Sequence, residues 1–264
     1  MPTPVPVLVC GLKSTSPADY GLGHVAGPLS PKNPMPVVTP APRTAGPLAL
    51  VGGGEWSEGC DFDAELLAAS GQREVLVLPT AAAYEHPQRE VEAAAKWFAT
   101  LGATVRGLMV VGRTDADDDV NARAVRDAAF IYLGSGSPLH LRSVLKDSAV
   151  WAALVAAWHG GAVLAGSSAG AMVLGDSMVD PRGGALTLGL GLVGPLAILP
   201  HADGWSAEKQ QRTVSLATGH LRIAAVEERT ALWREPEGVW RVVGAGSVTV
   251  FVDGKPARLD ALPA

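Results

Sequence analysis

The residues best suited to chemistry are the run Gly166-Ser167-Ser168-Ala169-Gly170. A nucleophile elbow requires small residues two before and two after its serine, because the sharp strand-to-helix turn leaves no room there for side chains. Such a turn lifts the Ser168 hydroxyl clear of the sheet and aims the backbone N–H of Ala169 at a developing oxyanion. In a chain with 31 glycines the bare pattern is weak, and its flanks supply the context. An apolar run at 162–165 precedes it and a helical stretch at 169–174 follows it.

A serine hydroxyl attacks only when a base takes its proton, and six histidines are available. His24 lies in a proline-rich segment, His140 and His159 fall on helix patterns, His86 sits just ahead of a helix start, and His220 closes a stretch read as a helix. His201 follows the apolar strand 196–199 and Pro200, at a strand end of the kind that lines the ligand-binding rim of an α/β sheet. It is the expected base. The imidazole then needs a carboxyl to hold its tautomer. Asp176, Asp180, Asp203, Glu227 and Glu228 all lie downstream of the serine, and spacing does not choose among them.

The elements that must hold these groups follow from the texture of the chain. Apolar runs at 47–51, 75–78, 130–133 and 162–165 are continuous rather than alternating, and several feed glycine turns, among them Gly52-Gly53-Gly54 and Gly134-Ser135-Gly136. Strands buried on both faces read this way. Between them, Val91, Ala94, Ala95, Phe98 and Leu101 predict a helix over 87–101, and Val150, Leu154, Val155 and Trp158 predict one ending before Gly160-Gly161. Strand–helix alternation predicts a doubly wound, mostly parallel sheet. Apolar runs at 232–233, 239–243 and 248–252 are expected to form a terminal antiparallel meander. Residues 1–46 are so rich in proline that they read as an extended arm, leaving 47–264 as a single catalytic domain.

Composition bounds the function. The 264 residues are 48% hydrophobic and 18% charged, with a net charge of −5, which suits a folded enzyme and not a nucleic-acid or anionic-membrane binder. Cys10 and Cys60 form no metal or disulfide pattern, and the apolar stretch near the start is too short to span a bilayer, so a cytoplasmic protein is expected. The acidic run 115–119 reads as a solvated loop ahead of a helix, and Gly52-Gly53-Gly54 lacks the phosphate-loop patterns, so neither a metal nor a cofactor is expected.

Five ordered segments carry a resemblance. Leu48-Ala49-Leu50-Val51-Gly52-Gly53-Gly54-Glu55, Ile131-Tyr132-Leu133-Gly134-Ser135-Gly136-Ser137, Gly166-Ser167-Ser168-Ala169-Gly170-Ala171, Ile198-Leu199-Pro200-His201 and Val226-Glu227-Glu228-Arg229-Thr230-Ala231-Leu232 look like the serine peptidase family of aspartyl dipeptidase (dipeptidase E) and cyanophycinase. The resemblance implies a class I glutamine amidotransferase-like α/β three-layer sandwich with C-terminal antiparallel strands. It also implies a triad of Ser168, His201 and Glu228, and an oxyanion hole from the N–H groups of Gly136 and Ala169. Arg212 falls where dipeptidase E places an arginine, and a guanidinium there would pair with a substrate carboxylate, giving a preference for acidic residues. Where that family continues its glycine turn with Asn or Asp-Gln, this chain has Ser137-Pro138, so Ser137 is a substrate-contacting candidate. The stretch 201–212 holds only Lys209 and Arg212 as cations, which argues against a polymer of aspartate and arginine as substrate.

The expected activity is hydrolysis of short peptides through an acyl-enzyme, without nucleic-acid or membrane partners, and an arm of this length is compatible with a homodimer. The alternatives from other classes are a catalytically silent binding protein on the same fold, and an amidase or acyl transferase acting on a non-peptide amide.

Overall fold

The computed structural model describes residues 44–180, 184–217 and 219–263. The expected arm at 1–46 lies outside the described residues except for its last three positions. Gly46 is already part of the packed body: its N–H donates to the Trp158 carbonyl at 2.8 Å, and its own carbonyl accepts the Trp158 indole N–H at 2.8 Å.

The first half alternates as expected. It runs β1 (Leu48–Val51), α1 (Phe62–Ser70), β2 (Glu74–Leu78), α2 (Pro87–Thr100), β3 (Thr104–Gly107), α3 (Arg113–Ala116), α4 (Asp119–Arg126), β4 (Phe130–Leu133), α5 (Pro138–Leu145), α6 (Ala149–His159), β5 (Val163–Ser167) and α7 (Ala169–Leu174). The second half is mostly strand: β6 (Ser177–Val179), β7 (Leu186–Leu188), β8 (Leu196–Leu199), α8 (Ala207–Ser215), β9 (Arg222–Val226), β10 (Thr230–Arg234), β11 (Trp240–Gly244), β12 (Val248–Val252) and β13 (Lys255–Ala257).

The main sheet has the order β11-β10-β1-β5-β4-β2-β3, parallel from β1 to β3, with β10 and β11 antiparallel on one flank. Its strands are apolar throughout because both faces are covered. Leu48, Leu50, Ile131, Leu133 and Leu164 pack on one side with α5 and α6, whereas Ala49, Val51, Phe130, Tyr132 and Val163 pack on the other with α1 and α2. The result is the three-layer α/β sandwich of the expectation.

Two sequence expectations change. The C-terminal runs do not form one meander: β10 and β11 join the main sheet, but β12 leaves it and pairs antiparallel with β9 in a second sheet of order β13-β12-β9-β8. Hence β8, expected on the rim of the main sheet, belongs to this second sheet and runs parallel to β9. The acidic run is also more than a loop. Asp115 accepts the N–H groups of Val111 and Gly112 around α3, and Asp118 caps α4 by accepting from Val120 and Asn121.

Candidate active site

β5 ends at Ser167, and the chain turns directly into α7 through Ser168, whose backbone sits at φ 47° and ψ −104°. A non-glycine residue held at positive φ costs on the order of 1–3 kcal/mol and persists only where the surroundings impose it. Here they do. A Cβ at Gly166 would lie 2.6 Å from the Gly170 backbone, and one at Gly170 would lie 2.3 Å from the Leu133 carbonyl oxygen, so the elbow packs backbone against backbone on both sides. The Ser168 N–H donates to the Val51 carbonyl at 2.9 Å, tying the turn to β1.

The Ser168 Oγ stands 2.9 Å from His201 Nε2, and His201 Nδ1 stands 2.9 Å from Glu228 Oε1. A carboxylate only accepts, so Nδ1 carries the proton, and Nε2 is left to accept from the serine. His201 and Glu228 come from the ends of β8 and β9, whose parallel register pairs Leu199 with Ala225 and so brings both loops to one place. Those loops then lean onto the end of β1: the His201 N–H donates to the Gly52 carbonyl at 2.8 Å and the Arg229 N–H to the Gly53 carbonyl at 2.7 Å. Gly53, at φ +123°, lies under the imidazole.

The other carboxyls have different places. Asp203 folds back as a support, accepting the Glu228 backbone N–H at 3.1 Å. Glu227 accepts the Ser247 N–H at 2.8 Å. Asp176 and Asp180 flank β6, in the β6–β7 hairpin. Of the remaining histidines, His140 bonds the Val111 carbonyl at 3.0 Å, His159 packs on Trp158, His86 occupies the N-cap position of α2 in a left-handed conformation without a side-chain cap bond, and His220 sits in the turn before β9, beyond the end of α8 at Ser215. His24 lies outside the described residues.

Gly136 and Ala169 present N–H groups that find no backbone acceptor among the described residues. Gly136 has φ +130°, and a Cβ there would meet the Ala81 carbonyl oxygen at 2.4 Å, so only glycine fits. Ser137 caps α5, its Oγ accepting the His140 N–H at 3.3 Å.

Around Ser168 lies a cleft of about 450 Å³ lined by Glu85, Gly136, Ser137, Pro138, Met172, Val179, Pro200, His201, Trp205 and Lys209. Its lining is mostly apolar, with Glu85 and Lys209 as its charged members. Lys209 holds its ammonium 3.8 Å from the centroid of the Trp205 ring. Arg212 does not line this cleft; it lines a separate groove with Ser206, Glu208 and Lys209. Trp205, Met172 and Val179 were not legible as site residues, since each has an ordinary packing role in the sequence pattern. Among the described residues, no cluster of three or more His, Cys, Asp or Glu side chains is arranged to hold a metal ion, and no helix is long and apolar enough to cross a membrane.

Two carboxyls, one half-buried and one fully buried, lie behind the site. Burial pushes Glu90 on α2 up to about 7, against the stabilising Ser135 N–H that it accepts at 2.6 Å. Asp63 on α1, fully buried, is pushed up to about 8 by the same cause, although it accepts the Trp97 indole N–H at 2.9 Å.

The family model described as peptidase family S51 matches residues 48–242, which contain Ser168, His201 and Glu228. The chain belongs to that family. The fold and the family are those of serine-type peptidases. Among S51-like relatives, a cyanophycinase of Synechococcus elongatus is 28% identical over 167 residues, covering 58% of this chain and 51% of the relative. A cyanophycinase of Trichormus variabilis is 29% identical over 167 residues, covering 58% and 55%. The chain thus spans about half the length of the curated relatives it matches. Among solved structures, a peptidase from an acI-B1 Actinobacterium superposes with a TM-score of 0.73 at 27% identity, covering 82% of this chain and 94% of that one. A putative peptidase E protein from Listeria monocytogenes EGD-e gives 0.57 at 21% identity, covering 78% and 98%, a likeness of fold.

Proposed function

We propose that this S51 protein is a serine peptidase that hydrolyses short peptides through an acyl-enzyme. The observation that carries the reading is the continuous relay of Ser168 Oγ, His201 and Glu228, with both links at 2.9 Å. Ser168 Oγ attacks the scissile carbonyl carbon while His201 Nε2 takes its proton, and Glu228 holds Nδ1–H and stabilises the imidazolium. The oxyanion is received by the N–H groups of Ala169 and Gly136. Collapse of the tetrahedral intermediate returns the proton from Nε2 to the leaving amine, and a water activated by His201 then releases the acyl group.

In the substrate cleft, the cation available to a peptide carboxylate is Lys209 rather than Arg212. An acidic-residue preference would therefore run through Lys209. The apolar walls offered by Met172, Val179, Pro138 and Trp205 suit the aliphatic part of a side chain beside it. The catalytic domain is proposed to begin with the strand that Gly46 ties down, and the proline-rich segment before it to be dispensable for the triad.

A fluorophosphonate probe tests the reading: Ser168 displaces fluoride from phosphorus, with its proton leaving through His201, and the adduct is located by peptide mass. Labelling at Ser168, together with cleavage of members of a short-peptide library, is expected. An unlabelled, correctly folded protein would count for a silent binding protein, and labelling without cleavage of any peptide for an amidase or acyl transferase.

A further inference from the structure

A carboxyl outside the relay bridges the two turns that carry the oxyanion donors. Glu55, just past β1, accepts the Ser167 hydroxyl on Oε2 at 2.7 Å and the Ser135 hydroxyl on Oε1. In the main sheet β5 lies between β1 and β4, so this side chain reaches from the end of the first strand over the second to the turn after the third. Ser167 immediately precedes the nucleophile, and Ser135 immediately precedes Gly136. From the other side Glu90 accepts the Ser135 N–H at 2.6 Å and packs so closely on Gly134 that a Cβ there would lie 2.4 Å from its Oε1.

We propose that Glu55 is a positioning residue that sets the separation of the Gly136 and Ala169 N–H groups. The inference rests on the serine peptidase reading above. An oxyanion hole works only when both donors stand within about 2.7–3.1 Å of the place the oxyanion will occupy, and that place exists only in the transition state. The two donors belong to different loops. Within each loop the peptide chain fixes the donor relative to the neighbouring serine, and Glu55 fixes the two serines relative to each other. Neither bond spends Ser168 or an oxyanion N–H, so the clamp leaves the chemistry free. Loss of the clamp should slow the chemical step while leaving substrate binding in the cleft nearly intact.

The test uses Glu55→Ala, Glu55→Gln, Ser135→Ala and the double variant Glu55→Ala/Ser135→Ala. The rate of fluorophosphonate labelling of Ser168 is measured, and kcat and KM are followed with a peptide that the wild type cleaves. Glu55→Ala is expected to lower the labelling rate and kcat by about 10²-fold, the scale of one impaired oxyanion donor, with KM held within about threefold. Ser135→Ala should cost about tenfold, and the double variant no more than Glu55→Ala alone, because both remove one bridge. Glu55→Gln should keep most activity, since an amide can accept one serine hydroxyl and donate to the other. Additive losses, a loss carried by KM, or a Gln variant as impaired as the Ala variant would each overturn the proposal. If Glu55→Ala does not fold, Ser135→Ala decides alone, and an unchanged labelling rate in it overturns the proposal. Failure of the underlying reading looks different: the wild type itself would not label at Ser168.

Discussion

Gly53 and His201 share one space: a Cβ at position 53 would stand 2.2 Å from the imidazole Cε1 and 2.6 Å from Nδ1. The residue also holds φ +123°, where a side chain is strained whatever the room. Gly53→Ala is therefore expected to push the ring off the Ser168–Glu228 line and to cut fluorophosphonate labelling by about 10²-fold or more, the cost of a misplacement near 1 Å. Far-UV circular dichroism should remain that of the wild type. A variant labelled at the normal rate would mean that the imidazole does not need its observed place.

For the proposed nucleophile, Ser168→Ala should abolish labelling and lower kcat on the order of 10⁶-fold. Ser167, whose hydroxyl points to Glu55 instead, should be far more tolerant: Ser167→Ala is expected to retain activity within about a hundredfold. Equal loss in both would remove Ser168 from its assigned role.

The proposed acid, Glu228, is separable from its supports. Glu228→Gln should preserve folding and lower kcat by about 10⁴-fold, because the histidine loses the partner that fixes its tautomer. Asp203→Asn keeps an oxygen that can accept the Glu228 N–H, so its effect should stay within about tenfold. Steady-state kinetics on one cleaved peptide orders the two.

Substrate carboxylates should report on Lys209. Lys209→Ala is expected to raise KM for peptides with an anionic group by about tenfold, the worth of one exposed charged hydrogen bond, while Arg212→Ala leaves KM within about twofold. The reverse order would transfer the contact to Arg212.

Asp63 makes stability depend on pH in an unusual direction. Its carboxyl moves from an ordinary value of 3.8 to about 8 on folding because burial disfavours the charge. The folded state therefore binds more protons than the unfolded one between those values, and stability falls as pH rises from about 4 to about 8. Asp63→Asn removes the titration while keeping an acceptor for the Trp97 indole. Its stability relative to the wild type should be nearly level near pH 4 and should grow by a few kcal/mol by pH 8. Urea denaturation at both pH values measures it, and a pH-independent difference would show that Asp63 carries no such linkage.

The alternation of strands and helices was legible because it is written locally. Continuous apolar runs such as 130–133 mark strands covered on both faces, and the stripe through Val91, Ala94 and Phe98 marked a helix observed as Pro87–Thr100. The elbow was legible for the same reason, since five consecutive residues contain every steric condition for the turn at Ser168. The choice of Glu228 over four other carboxyls was not in the spacing. It depends on β8 and β9 pairing in parallel within a second sheet, a long-range register that brings residues 201 and 228 to one end, while Asp203, two positions from His201, turns its oxygen to the Glu228 backbone instead. Local pattern likewise could not send β12 to that second sheet, because the same alternation of Val248–Val252 satisfies either neighbour. Lys209 and Arg212 lie three positions apart on α8, and helical period alone would place them on one face; only the way α8 docks beside Trp205 decides that Lys209 borders the cleft and Arg212 does not. Glu55 belongs to the same class. Its sequence neighbours say nothing of Ser135 and Ser167, and it reaches both because the strand order sets β5 between β1 and β4. Composition and short-range period thus determined the elements and the turn at Ser168, whereas contacts between residues far apart in the chain were decided by strand order and docking, which are properties of the folded whole.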